Sequence, residues 1–129
     1  MKNFVQLFVV GVIVLMYSAV FAEGECDKYK SSYDITYCYC KLFIESDKEL
    51  NTVYKELKDG LKEEMKKKLT EIQRDWMKYR DNVCQDKPGT IDVDCNYKVN
   101  KERTEYLRDR SRECKTGSCR DDMISKKSW

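Results

Sequence analysis

ELNTVYKELKDGLKEEMKKKLTEIQRDWMKYRDNVC, residues 49–84, carries one apolar stripe from end to end. Leu50, Val53 and Tyr54, Leu57, Leu61, Met65, Leu69, Ile72, Trp76, Tyr79 and Val83 follow one another in steps of three and four. That spacing is the period of an α-helix with one face turned inward. Unbroken, a straight helix of this length spans roughly 50 Å. Asp59-Gly60 is its weak point, because Gly costs ~1 kcal/mol in a helix interior, so a bend or joint is expected there. Between the apolar positions, Glu63 to Lys67 and Glu64 to Lys68 are i,i+4 pairs in the favourable order. This charged run reads as a solvated face.

Upstream, Ser31 or Ser32 can cap a first helix with Asp34 in its opening turn. Tyr29, Tyr33 and Tyr37 recur every four residues, and Ile35, Tyr39, Leu42 and Phe43 add apolar bulk. Ser46-Asp-Lys-Glu49 has capping-box spacing and either starts a new helix or lies inside a continuous one. Downstream, Asp86, Pro88 and Gly89 stop the long segment. A third helix is expected to begin near Asp92 or Asp94, with Val93, Tyr97, Thr104 and Leu107 inward. Past Cys114, Lys-Thr-Gly-Ser and Asp-Asp read as a loop and a loose tail. A stripe on one face must be buried by another element. The expected fold is therefore all-α, a small antiparallel helical bundle or hairpin with one long helix, bent or jointed at Gly60.

Residues 1–22 differ from everything after them. Met1-Lys2-Asn3 is a weakly basic start, Phe4 to Phe21 is almost wholly apolar, and Val20-Phe21-Ala22 offers small residues at −3 and −1 of a cleavage site. This is the pattern of a secretory signal peptide; an uncleaved anchor is the alternative, since the run is about long enough to span a bilayer. The expected organisation is a signal peptide at 1–22, a helical domain at 23–113 and the tail at 114–129. Export, secreted or periplasmic, puts the cysteines in an oxidising compartment where disulfides form.

From Glu23 to Trp129 there are 24 basic and 23 acidic side chains, a net charge of +1. Leu, Ile, Val and Phe together number 16 there, and Ala is absent. Such a composition leans towards disorder unless staples supplement a thin core. The chain has no His, which excludes a Ser–His–Asp triad, a Cys–His dyad and histidine metal sites. The five Gly are scattered, so no phosphate loop forms. A net charge near zero argues against nucleic-acid binding. A non-enzymatic protein is expected, without cofactor or metal, and without stable membrane insertion once the signal is removed.

Seven cysteines, Cys26, Cys38, Cys40, Cys84, Cys95, Cys114 and Cys119, leave one unpaired or joined to another chain, and spacing alone does not determine the pairing. Two blocks among them are distinctive. Leu69-x3-Gln73-Arg74-x-Trp76-x2-Tyr79-Arg80-Asp81-x2-Cys84, preceded by Asp47-x-Glu49-Leu50-Asn51-x2-Tyr54-x2-Leu57-x3-Leu61, resembles the signature of the lysozyme-inhibitor LprI-like N-terminal domain family. Cys26 and Cys38 match its first cysteine pair, and Cys95, Arg103 and Leu107 its closing segment. The resemblance covers about residues 26–107. Cys40, Cys114 and Cys119 are additions to that pattern, the family's alanines are missing, and its mid-chain Ser-Pro helix start is replaced by Lys62-Glu63. The resemblance implies pairing of Cys26 with Cys38 and of Cys84 with Cys95. Cys114 and Cys119 can then close a small ring, which leaves Cys40 over.

The resemblance implies a protein that binds and inhibits a lysozyme. The competing expectation is an interaction or structural module of the cell envelope, or an immunity-type protein against a wall-directed toxin. Gln73, Trp76 and Arg80 share one side of the long helix, where Arg80 can stack on the indole. With Asn51, Tyr54, Arg74, Tyr79 and Asp81 they read first as groups that hold helices together, and second as a recognition surface. A candidate partner contact is the loop between Cys84 and Cys95. Asp86, Asp92 and Asp94 make it acidic, and many lysozymes are cationic. Against this, Asp92 or Asp94 is also a sensible helix cap.

Overall fold

The computed structural model describes residues 24–129; the signal-peptide reading lies outside the described residues. Four helices follow in order: α1 (Ser32–Asp59), α2 (Glu63–Val83), α3 (Val93–Lys115) and a single turn, α4 (Asp121–Ile124). The described residues contain no strand.

Ser31 caps α1, its Oγ accepting from the Asp34 N–H, and Ser46 lies inside the helix rather than starting a new one. The joint falls where glycine marked it, but not through glycine's special conformations. Gly60 has φ −82°, an ordinary backbone value, and its N–H closes the last turn on the Leu57 and Lys58 carbonyls. At Lys62 the backbone is extended, with no side-chain cap. The chain reverses there, so the stripe folds back on itself instead of running on as one helix. Tyr54 Oη comes to 3.2 Å from Thr70 Oγ1, and Arg80 reaches Asp47 at 3.2 Å. Reversal brings both halves of the stripe into a shared core with α3. In the charged run, Glu64 pairs with Lys68, whereas Glu63 pairs with Lys66 rather than Lys67.

Asp92 is the cap of α3, accepting from the Cys95 N–H at 2.9 Å. Contacts between Ser46 and Asn100 and between Glu56 and Lys115 show that α3 runs parallel to α1; α2 is antiparallel to both. The interface of α1 with α3 is the most extensive in the bundle. Small polar residues occupy it. Buried Ser46 and Thr104 donate to the carbonyls of Phe43 and Asn100 on their own helices. A hydroxyl satisfied this way can be buried at little cost. Ser, Thr and Asn thus provide the close approach that Ala commonly provides.

Three disulfides, Cys26–Cys38, Cys84–Cys95 and Cys114–Cys119, staple the bundle, and Cys40 is the free thiol. The expected loose tail after Cys114 needs correction. α3 continues to Lys115, Gly117 turns the chain at φ +82°, and Ile124 enters the core with 1 % exposure. Tyr106 Oη donates to the Met123 carbonyl at 2.5 Å, and Lys127 pairs with Asp75 at 2.6 Å. One isoleucine in a polar tail has no period to reveal it; a gap between α2 and α3 gives it its place.

The inward face expected for α3 is also corrected in part. Thr104 and Leu107 are buried, but Val93 and Tyr97 are only half-buried. Asn96, Asn100, Arg103 and Ser111 complete the inner row.

Candidate functional site

Trp76, 2 % exposed, lies at the centre of the molecule, and guanidinium groups approach its ring from two helices. Arg80 Cζ is 5.6 Å and Arg103 Cζ 5.7 Å from the ring centroid. Each is within the range at which a cation is attracted to an aromatic quadrupole.

Arg80 then ties three helices together. Its Nη1 donates to Asp47 Oδ1 of α1 at 3.2 Å and to Asn100 Oδ1 of α3 at 3.1 Å. Its Nε and Nη2 both donate to Asp81 Oδ1. Asn100, fully buried, passes the network on by donating to Ser46 Oγ at 3.2 Å. Gln73 Oε1 accepts from Arg103 Nε at 3.0 Å. Buried polar groups joined by directed hydrogen bonds fix the register of the helices that supply them. Gln73, Trp76, Arg80 and Asp81 therefore sit in one helix-tying network. Asn51 reaches it only at its edge, its amide donating to Asp47 Oδ2 at 3.4 Å, one turn back along α1. Tyr79 is half-buried, with its ring 6.2 Å from that of Trp129.

The sequence does not single out Asn96 or Asn100, and it offers Ser46 only as a helix cap. Asn96, Asn100, Arg103/Thr104, Leu107 and Ser111 do have helical spacing, but the row shows only when polar residues are allowed to count as an inner face.

On the other side of α2 an open groove of about 440 Å³ separates it from α1. Leu50 and Tyr54 of α1 and Gln73, Arg74 and Met77 of α2 line it, with Asp47 and Arg80 at one end. Residues from both signature blocks are thus brought to one place, although Gln73 lies 19 positions after Tyr54. Arg74 is exposed, and no carboxylate among the described residues pairs with it. Met77 beside it is 46 % exposed. The groove therefore joins an unpaired cation to an apolar strip.

The acidic loop is built differently. Asp92 is committed to capping α3, and Asp94 pairs with Lys98 at 2.6 Å. Asp86 is exposed, and Gly89, at φ +81°, makes the turn after Pro88. Two of its three acids are therefore engaged by α3, Asp92 as its cap and Asp94 within its first turn. Among the described residues no group of three or more acidic or cysteine side chains is placed to hold a metal ion. None of the described helices is long and apolar enough to cross a membrane.

The family model described as lysozyme inhibitor LprI matches residues 25–107. The chain belongs to the LprI family. The match takes in both signature blocks, the pairs Cys26–Cys38 and Cys84–Cys95, and the residues of α1 and α2 that line the groove. It stops short of Cys114–Cys119 and the docked tail. Neither a curated protein nor a solved structure matches the chain.

Proposed function

We propose that this LprI-family chain is an exported, non-enzymatic protein that binds and inhibits a lysozyme, and that its contact surface is the groove between α1 and α2. The observation that carries the reading is the meeting of the two family blocks at that groove, with Arg74 on its rim and paired with no acid among the described residues. Three disulfides fit an oxidising compartment. Lysozymes cleave with a pair of carboxyl groups flanking the scissile bond. A guanidinium delivered into such a cleft makes a charge-assisted pair with one of them, while Met77 and Tyr54 supply apolar contact. Inhibition of this kind needs no catalytic group.

The decisive experiment is a cell-wall lysis assay with disulfide-intact protein against several lysozyme classes. Arg74→Glu is expected to weaken inhibition by about tenfold or more, the size of an interface hot spot, with an unchanged melting temperature. A second reading puts the contact on the acidic loop, where Asp86 is free to meet a cationic enzyme. Under that reading Asp86→Asn, Asp92→Asn, Asp94→Asn combined abolishes inhibition at low salt and Arg74→Glu does not. Lysis untouched by the parent protein in every class removes both and leaves the envelope-module or immunity-type reading.

A further inference from the structure

Arg103 is a cation buried without an anion. It is 4 % exposed; its Nε bonds Gln73, and its Nη2 is buried with no hydrogen-bond partner. Arg80, Arg108, Arg110, Arg112 and Arg120 each hold at least one carboxylate. No carboxylate among the described residues does this for Arg103. Three rings surround it instead, those of Tyr106, Trp129 and Trp76, at 5.3, 5.5 and 5.7 Å from Cζ. Rings attract a cation but accept no hydrogen bond in the plane of its fork. Burial pushes the guanidinium down to about 10.

A recess of about 170 Å³ opens beside it, between α2, α3 and the tail, with Trp76, Tyr106 and Trp129 as walls and exposed Glu102 on its lining. It is separate from the groove between α1 and α2. Trp129 is 36 % exposed and lies beyond the last helical turn. Ile124 and the Tyr106–Met123 bond anchor the tail's helical turn, and beyond them the segment carrying Trp129 is held by the Lys127–Asp75 pair and by contact of its ring with Tyr79 and Arg103. Such a cover can lift without unfolding a helix.

We propose that this recess is a binding site for a single carboxylate, with Arg103 as the recognising group and Trp129 as the lid. With Nε used by Gln73, the outer edge of the guanidinium, Nη1 and Nη2, is left to meet a flat two-oxygen anion in bidentate fashion. One guanidinium neutralises one charge, and Glu102 nearby disfavours a dianion such as phosphate. The carboxylate comes from a polypeptide, either an acidic side chain or a chain terminus. The site does not depend on the partner being a lysozyme.

The test titrates the intact protein with sodium acetate, against sodium chloride and inorganic phosphate at matched ionic strength. The readouts are tryptophan fluorescence and the Arg103 Nε–H resonance. Saturable shifts with acetate alone are expected. N-acetylglutamic acid α-amide and N-acetylalanine then distinguish a side-chain from a terminal carboxylate. Arg103→Lys, which loses the fork, is expected to lose the response. Should that variant fail to fold, Trp129→Ala decides: an absent lid lowers the apparent Kd several-fold, because the open state is no longer a minor fraction. A response shared by chloride and acetate, no saturation, or identical acetate affinity in Trp129→Ala overturns the proposal.

Discussion

The end of the bundle near the α1–α2 joint and the end closed by Cys84–Cys95 bury their interiors in opposite ways. At the joint, Leu57, Leu61, Met65, Leu69 and Leu107 form an aliphatic core that any shape-compatible set of side chains can fill. At the other end, Ser46, Asn96, Asn100 and Arg80 are held by directed hydrogen bonds, with Cys26–Cys38 and Cys84–Cys95 close by. A chain with few aliphatic residues has filled one end of its interior mainly with apolar bulk and the other mainly with polar groups, with two disulfides at the polar end and Cys114–Cys119 beside the joint. The polar half supplies specificity, because each of its groups has one partner geometry that satisfies it. Trp76 stands at the border, packed into the apolar cluster and faced by two arginines.

The largest expected effect tests that border. Trp76→Ala should destabilise the fold by about 3–5 kcal/mol, the range for deleting a buried aromatic, as read from urea unfolding. A variant that keeps its stability yet loses its partner would make the indole a recognition residue instead.

Next comes a direct contest between the two ends. Leu69→Ala should cost about 2–5 kcal/mol through lost burial and a residual cavity. Asn100→Ala should cost less, about 1–3 kcal/mol, by leaving one Arg80 N–H without its acceptor and removing the bond that the Ser46 oxygen accepts. If Asn100→Ala proves the more damaging in the same unfolding experiment, the polar network and not the aliphatic core holds the bundle.

A smaller effect of opposite sign is expected at the joint. Gly60 has an ordinary φ, and an added Cβ meets nothing nearer than the Leu57 carbonyl at 3.6 Å. Gly60→Ala should stabilise by about 0.4–1 kcal/mol by restricting the unfolded chain. A loss of stability would show that the reversal needs glycine after all.

The smallest effect lies on the surface, at the tail. A hydrogen bond and charge from Lys127 hold the Asp75 carboxyl below its ordinary value. Its folded value is thus lower than its unfolded one, so its contribution is complete above the ordinary carboxylate range. That contribution is lost as pH falls through the lowered value. Acidification should therefore loosen the tail before the bundle unfolds, seen as an early change in tryptophan fluorescence. Asp75→Asn should show the loosened signal already at neutral pH.

How much could be read in advance differs between the same two regions. The aliphatic face of α1 and α2 was legible because apolar residues at steps of three and four can be buried only on one side of a helix. A cap at Ser31 or Ser32, another at Asp92 or Asp94, and the stop at Pro88-Gly89 were legible because a capping oxygen or a fixed φ acts over three or four residues; the structure chose Ser31 and Asp92. The signature blocks made the family recognisable for the same local reason. The polar end was not legible in this way. Asn100 looks like any surface asparagine until Arg80 and Ser46, 20 and 54 residues away, are placed beside it.

By itself, then, the sequence determined helical segments, two of their caps to within a choice of two residues, a bend or joint at Gly60 and the family. Each of these rests on interactions between residues a turn or two apart, and such interactions are written in the spacing. The tertiary structure alone decided that the joint is a full reversal, that Ile124 completes the core, and that Arg103 is enclosed by three rings without an acid. Those outcomes depend on which surfaces meet, and burial, ion pairing and hydrogen-bond satisfaction acquire their energies only when distant segments exclude water from between them.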